Sequence, residues 1–118
     1  MATPNIVNVA TINAKNAAGA ITTSRASAVD VPAEKVAKIN TILIANIDGT
    51  NAADVTIEVS VDDGSSYVAI AKTISVPADA TLSFLENPIY LDETDLLAVT
   101  ASANSDLTYF VSYEEIKD

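Results

Sequence analysis

Cysteine, histidine and tryptophan are absent from this 118-residue chain, and glycine occurs only three times. Without histidine or cysteine the sequence lacks the commonest general base, the thiol nucleophile and the soft metal ligands. Its many serines and threonines therefore have no activating partner, and no nucleophile-elbow motif frames any of them. Gly19, Gly49 and Gly64 are too scattered to build a phosphate-cradling loop. No catalytic residue, no cofactor and no enzyme are expected. The lack of cysteine also excludes a disulfide scaffold, so stability must come from the core.

Positive charge is scarce as well. Six basic residues stand against sixteen acidic ones, a net charge of −10, and neither nucleic acid nor an anionic membrane suits such a surface. Basic protein surfaces or cations are the better partners. No apolar run approaches the roughly 20 residues that span a bilayer. Residues 1–10 carry neither a basic nor a long apolar stretch, so no secretory signal is expected.

What the chain does have is apolar content. Hydrophobic residues make up 49% and charged residues 19%, which is too apolar for disorder and about right for one compact domain. Charge divides unevenly along it. Residues 1–40 hold Lys15, Arg25, Lys35 and Lys38 against Asp30 and Glu34, a net of +2, whereas residues 41–118 carry −12. A segment of residues 1–35, rich in Ala, Asn, Thr and Ser, is therefore expected as an N-terminal arm. It either packs on its own acidic domain or reaches a neighbouring subunit, and Lys15, Arg25, Lys35 and Lys38 are the candidate partner-binding residues.

Period-two alternation dominates from residue 36 onward. Val55, Ile57, Val59 and Val61 alternate with Thr56, Glu58 and Ser60, and Asp62, Asp63 and Gly64 supply a turn before residues 67–76 resume an extended pattern. This is a hairpin. Residues 39–47 have large aliphatics in both registers and are expected as a central strand covered on both faces. Residues 81–85 and 89–91 read as short strands, Pro88 marking a bend or edge. Leu97, Val99 and Ala101, then Leu107, Tyr109, Val111 and Tyr113, read as a second hairpin, and weaker strands fall at 6–12 and 26–31. The fold expected is all-β: an antiparallel β-sandwich over 36–118, immunoglobulin-like or jelly-roll, with the N-terminal arm contributing one or two strands.

Two constellations carry possible chemistry. Asp92, Glu93 and Asp95 cluster between two strands as candidates for a hard cation, but the spacing fails the calcium-loop pattern, and the plainer reading is a solvated tight turn whose aspartates cap backbone groups. Paired carboxylates also hydrolyse glycosidic bonds, and a sugar site needs aromatic platforms. Tyr67, Phe84, Tyr90, Tyr109, Phe110 and Tyr113 are the only aromatics available. A carbohydrate-binding module is thus the alternative from another class.

Four runs are familiar in their order: residues 42–50 (ILIANIDGT), 74–78 (ISVPA), 89–91 (IYL) and 112–116 (SYEEI). Over about residues 36–116 the chain resembles small virion proteins of tailed phages of marine bacteria and cyanobacteria. The resemblance implies a non-enzymatic particle component made in the host cytoplasm and located in the virion. Its implied role is a capsid decoration or cement protein that bridges capsomers on the outer shell, with a neck, tail or fibre-attachment component as the alternative. Implied partners are the major capsid protein, other virion proteins and further copies of itself through arm exchange. No functional residue carries over.

Overall fold

The computed structural model describes residues 10–117. They form β1 (Thr11–Ile21), β2 (Ala26–Asp30), β3 (Val36–Asn46), β4 (Ala53–Ser60), β5 (Val68–Val76), β6 (Thr81–Ser83), β7 (Ile89–Leu91), β8 (Leu96–Ala101) and β9 (Leu107–Lys117). All pairings are antiparallel, in two sheets. The first runs β1-β9-β3, with β6 and β7 sharing the far side of β3; the second runs β2-β8-β4-β5. With β6 and β7 counted as one position, this is the strand order of a jelly roll, two Greek keys folded into a sandwich.

The core lies between the sheets. Ile21, Ile39, Ile42, Ile44, Leu107 and Val111 of the first sheet meet Val55, Ile57, Val76, Leu97 and Val99 of the second, all fully or almost fully buried. Residues 11–30, within the segment expected as an arm, supply one edge strand to each sheet, and Ile21, Val29 and Val31 enter this core. Of the weak strand at 6–12, residues 6–9 lie outside the described residues, while Thr11 and Ile12 open β1. Gly19 has a packing reason to lack a side chain: a Cβ there would stand 3.3 Å from the Tyr109 hydroxyl on the neighbouring strand.

Three expectations are corrected. β3 is central, but it is not covered on both faces. Ile39 pairs with Tyr113 and Thr41 with Ser112, so Asn40 is an extra residue, a bulge. It returns Ile42 and Ile44 to the face of Ile39, all three fully buried, and leaves Leu43 half-buried on the outer face. Two apparent registers are one register with a bulge.

The alternation of β4 ends earlier than expected. Ser60 is fully buried and Val61 is 72% exposed. The reason is polar: the Ser60 hydroxyl donates to Asp62 Oδ1 at 2.8 Å and accepts the Gly64 N–H at 2.8 Å, which closes the turn. Gly64 there has a φ of 87°, a conformation that suits glycine.

β8 and β9 are not a hairpin. β8 lies between β2 and β4 in the second sheet and β9 between β1 and β3 in the first. Both sides of each strand are occupied, so residues 102–106 cross from one sheet to the other. β4 and β5 alone pair as chain neighbours among the described strands.

Candidate functional site

The four N-terminal cations are held in different ways. Lys35 Nζ lies 3.0 Å and Lys15 Nζ 3.5 Å from Glu115 Oε1, a carboxylate buried near the end of β9. Arg25 binds both carboxylate oxygens of Glu58, at 2.9 and 3.1 Å, and its guanidinium stacks 4.0 Å above the Tyr67 ring. Lys38 makes no ion pair among the described residues. It stands on the outer face of the first sheet, in register with Glu114 on one side and Tyr90 on the other.

The carboxylates of the 92–95 loop serve the backbone. Asp95 Oδ2 accepts the Asp92 N–H at 2.9 Å, Asp92 Oδ1 accepts the Glu93 N–H at 2.7 Å, and Glu93 Oε2 accepts the Glu34 N–H at 2.7 Å. Burial raises the Asp95 pKa above the usual carboxylate value. Among the described residues no three carboxylates converge as a metal-binding group.

Two other loops use aspartate in the same way. Asp62 accepts from the Ser66 hydroxyl and amide and from Ser60, which lowers its pKa to about 2. Asp48 accepts the Thr50 N–H at 2.8 Å, which lowers its pKa, whereas partial burial and then the nearby Asp48 charge raise that of Asp106. These loops are braced by hydrogen bonds to their own acids.

The aromatics divide between core and surface. Phe84, Tyr109 and Tyr113 pack against the buried cluster, and Tyr67 lies under Arg25. Tyr90 and Phe110, 54% and 41% exposed, both belong to the outer face of the first sheet.

That face has a feature the linear pattern concealed. Ala18, Phe110, Leu43 and Ser83 form one row across β1, β9, β3 and β6. Another row reads Ala14, Glu114, Lys38 and Tyr90. The row between them (Asn16, Ser112, Thr41) and the row beyond Phe110 (Ala20, Thr108, Ala45, Thr81) carry Ala, Asn, Ser and Thr, and the row at the other end is Ile12, Ile116 and Val36. By register, Lys38 and Glu114 are the only charged side chains of these described strands on this face, in a chain of net charge −10. Sequence reading missed it because Ala, Ser and Thr give no apolar alternation, and only the pairing of β1 beside β9 assembles them.

No family model matches the chain, and no curated protein does either. Solved structures do share its fold. A chain of Bacillus endospore appendages, described as a family of disulfide-linked pili, is 15% identical over 91% of this chain and 87% of that one, with a TM-score of 0.56. A chain of the acid-stable capsid of Helicobacter pylori bacteriophage KHP30 is 8% identical over 92% and 90%, with a TM-score of 0.51.

Proposed function

We propose that this protein is a non-enzymatic structural component of a phage virion, and within that class a decoration or cement protein that binds the outer capsid shell and bridges capsomers. The observation that carries the reading is the jelly-roll strand order, shared in fold with the KHP30 capsid chain over nine-tenths of both chains. Jelly rolls recur in viral capsids and also in lectins, so the fold narrows the class without naming the role. The sequence resemblance to small virion proteins favours the particle. A uniformly low-charge face on an acidic protein adds a surface suited to protein contacts.

Its partners in this reading are the major capsid protein or other virion proteins and further copies of itself. Of the four cations, Lys38 is the one available for an intermolecular contact without breaking an ion pair seen in the fold. Arm exchange through residues 1–35 belongs to the same reading, since among the described residues no strand pairs with the outer edge of β1. Neither nucleic acid nor membrane enters.

Counting copies by quantitative mass spectrometry of purified particles tests the assignment. A ratio near one per major capsid subunit, or a fixed fraction set by the capsid lattice, supports decoration. Absence from particles overturns the virion reading. A second reading, a neck, tail or fibre-attachment component, is favoured by the fold shared with the spore-appendage chain, and a ratio matching portal or tail-ring proteins would select it.

A further inference from the structure

We infer that the outer face of the first sheet is a self-association surface, on which a second copy of this chain packs face to face about a two-fold axis. The inference rests on the self-association in the reading above but not on the particle. Charge points first to this face. Moving a surface out of water is least costly where few charges are buried and each meets a counter-charge, and here the strands carry one lysine and one glutamate in register, each able to meet its opposite on a partner.

The pattern on the face is self-complementary. A two-fold axis running along the strands, between β3 and β9, places β9 over the partner's β3 and β1 over the partner's β6 and β7. Lys38 then lies over the partner's Glu114, and Phe110 over the partner's Leu43. On the flanks the small Ala14 lies beneath the partner's Tyr90, and Ala18 opposite the partner's Ser83. Both rows satisfy the same axis: apolar Phe110 meets apolar Leu43, cation meets anion, and the large Tyr90 meets the small Ala14.

The size of the face is enough for an interface of modest extent. Four strand positions at about 4.8 Å and four exposed rows at about 6.8 Å give roughly 500 Å² per copy, so about 1,000 Å² is covered in all. That is the lower end for specific interfaces and suits a weak, reversible dimer. Because each copy carries a net charge of −10, the copies repel at long range, and added salt strengthens the dimer by screening.

Sedimentation equilibrium of the full chain from about 1 μM to 1 mM tests this, with thermal melting of each variant as the folding control. The expected result is a reversible monomer–dimer equilibrium from 12.3 kDa, tightened by salt. Phe110→Glu and Lys38→Glu should each weaken it at least about tenfold while melting as cooperatively as the parent. The double variant Lys38→Glu, Glu114→Lys should restore it, because the axis brings each position over the other. A parent that stays monomeric throughout overturns the inference, and if Phe110→Glu then loses particle binding, the face belongs to a capsid protein instead. A dimer indifferent to both single variants overturns it as well, since another surface then holds the copies. Either failure leaves the particle copy number, and with it the virion reading, unaffected.

Discussion

The side-chain amide of Asn46, in β3 of the first sheet, donates at 2.9 Å to the carbonyl of Val76, the last residue of β5 in the second sheet. The same amide donates at 2.9 Å to the Asn51 carbonyl, and its oxygen accepts the Asp48 N–H at 2.8 Å. One buried side chain thus fastens the two sheets to each other and to the β3–β4 loop at one end of the sandwich. Polar groups out of water are costly unless paired, and here every capacity of the amide that faces backbone is used.

Asn46→Ala removes both donors and strands two carbonyls, so a loss of about 2–4 kcal/mol is expected in urea unfolding. Asn46→Asp keeps the shape but cannot donate when ionised, and should be at least as destabilising at pH 7. A loss below about 0.5 kcal/mol for both variants would show that water takes over these bonds.

Ile57 and Glu58 are neighbours with opposite roles. Ile57 is fully buried, and Ile57→Asp places an unpaired charge in the core, which should cost roughly 4 kcal/mol or more, a large part of a small domain's margin. Glu58 lies on the other face and holds Arg25 through two hydrogen bonds. Glu58→Lys sets two cations together and should cost about 1 kcal/mol, a modest fall in melting temperature. Equal melting of the two variants would contradict the register of β4.

Asp62 sets a pH window. Its folded pKa, about 2, lies below the ordinary carboxylate value of 3.8 because the ionised form accepts from Ser66 and Ser60. A carboxylate bound more tightly in its ionised form adds stability above the unfolded pKa and loses it as pH falls through the folded one. The melting-temperature gap between the parent and Asp62→Ala should be widest above pH 4 and narrow between about pH 4 and pH 2. Carbon-13 NMR titration of the Asp62 carboxyl should give a midpoint near 2; a midpoint near 4 would remove the turn from the account.

A chain starting at Val36 should not fold as a monomer. It would lack β1 and β2, one edge of each sheet, together with the buried side chains of Ile21, Val29 and Val31. It would also expose the flanks of β9 and β8 to edge-to-edge pairing. Poorly dispersed amide NMR signals or aggregation is the expected result. A soluble, cooperatively melting fragment would mean that the segment before residue 36 is dispensable for folding.

Much of the strand layout is legible from pattern. The β4–β5 hairpin shows in the valine and isoleucine alternation and the Asp62, Asp63, Gly64 turn, and β7 falls at residues 89–91 as read. β1 is largely illegible. Its Asn, Ala and Gly residues favour strand weakly, and much of its sequence reads as a linker. The strand exists because β9 offers it eleven paired positions, and Tyr109 fills the space that Gly19 leaves.

The candidate surfaces divide the same way. Lys15, Arg25, Lys35 and Lys38 are identifiable as a basic set, but only the fold places two of them on Glu115, one on Glu58 and the last on an open face. The carboxylates at 92–95 look alike as a capped loop or an ion site in sequence, and hydrogen bonds to the backbone assign three of their oxygens.

By itself the sequence determined the secondary-structure class, the turn chemistry and the lack of histidine and cysteine for catalysis, because propensity, alternation and composition are local properties of the chain. Tertiary structure alone decided which strands pair, where the Asn40 bulge resets β3, and which small residues gather into one low-charge face. Those depend on contacts between segments far apart in the chain, where a strand's neighbours are chosen by the edges left open in the folded sandwich.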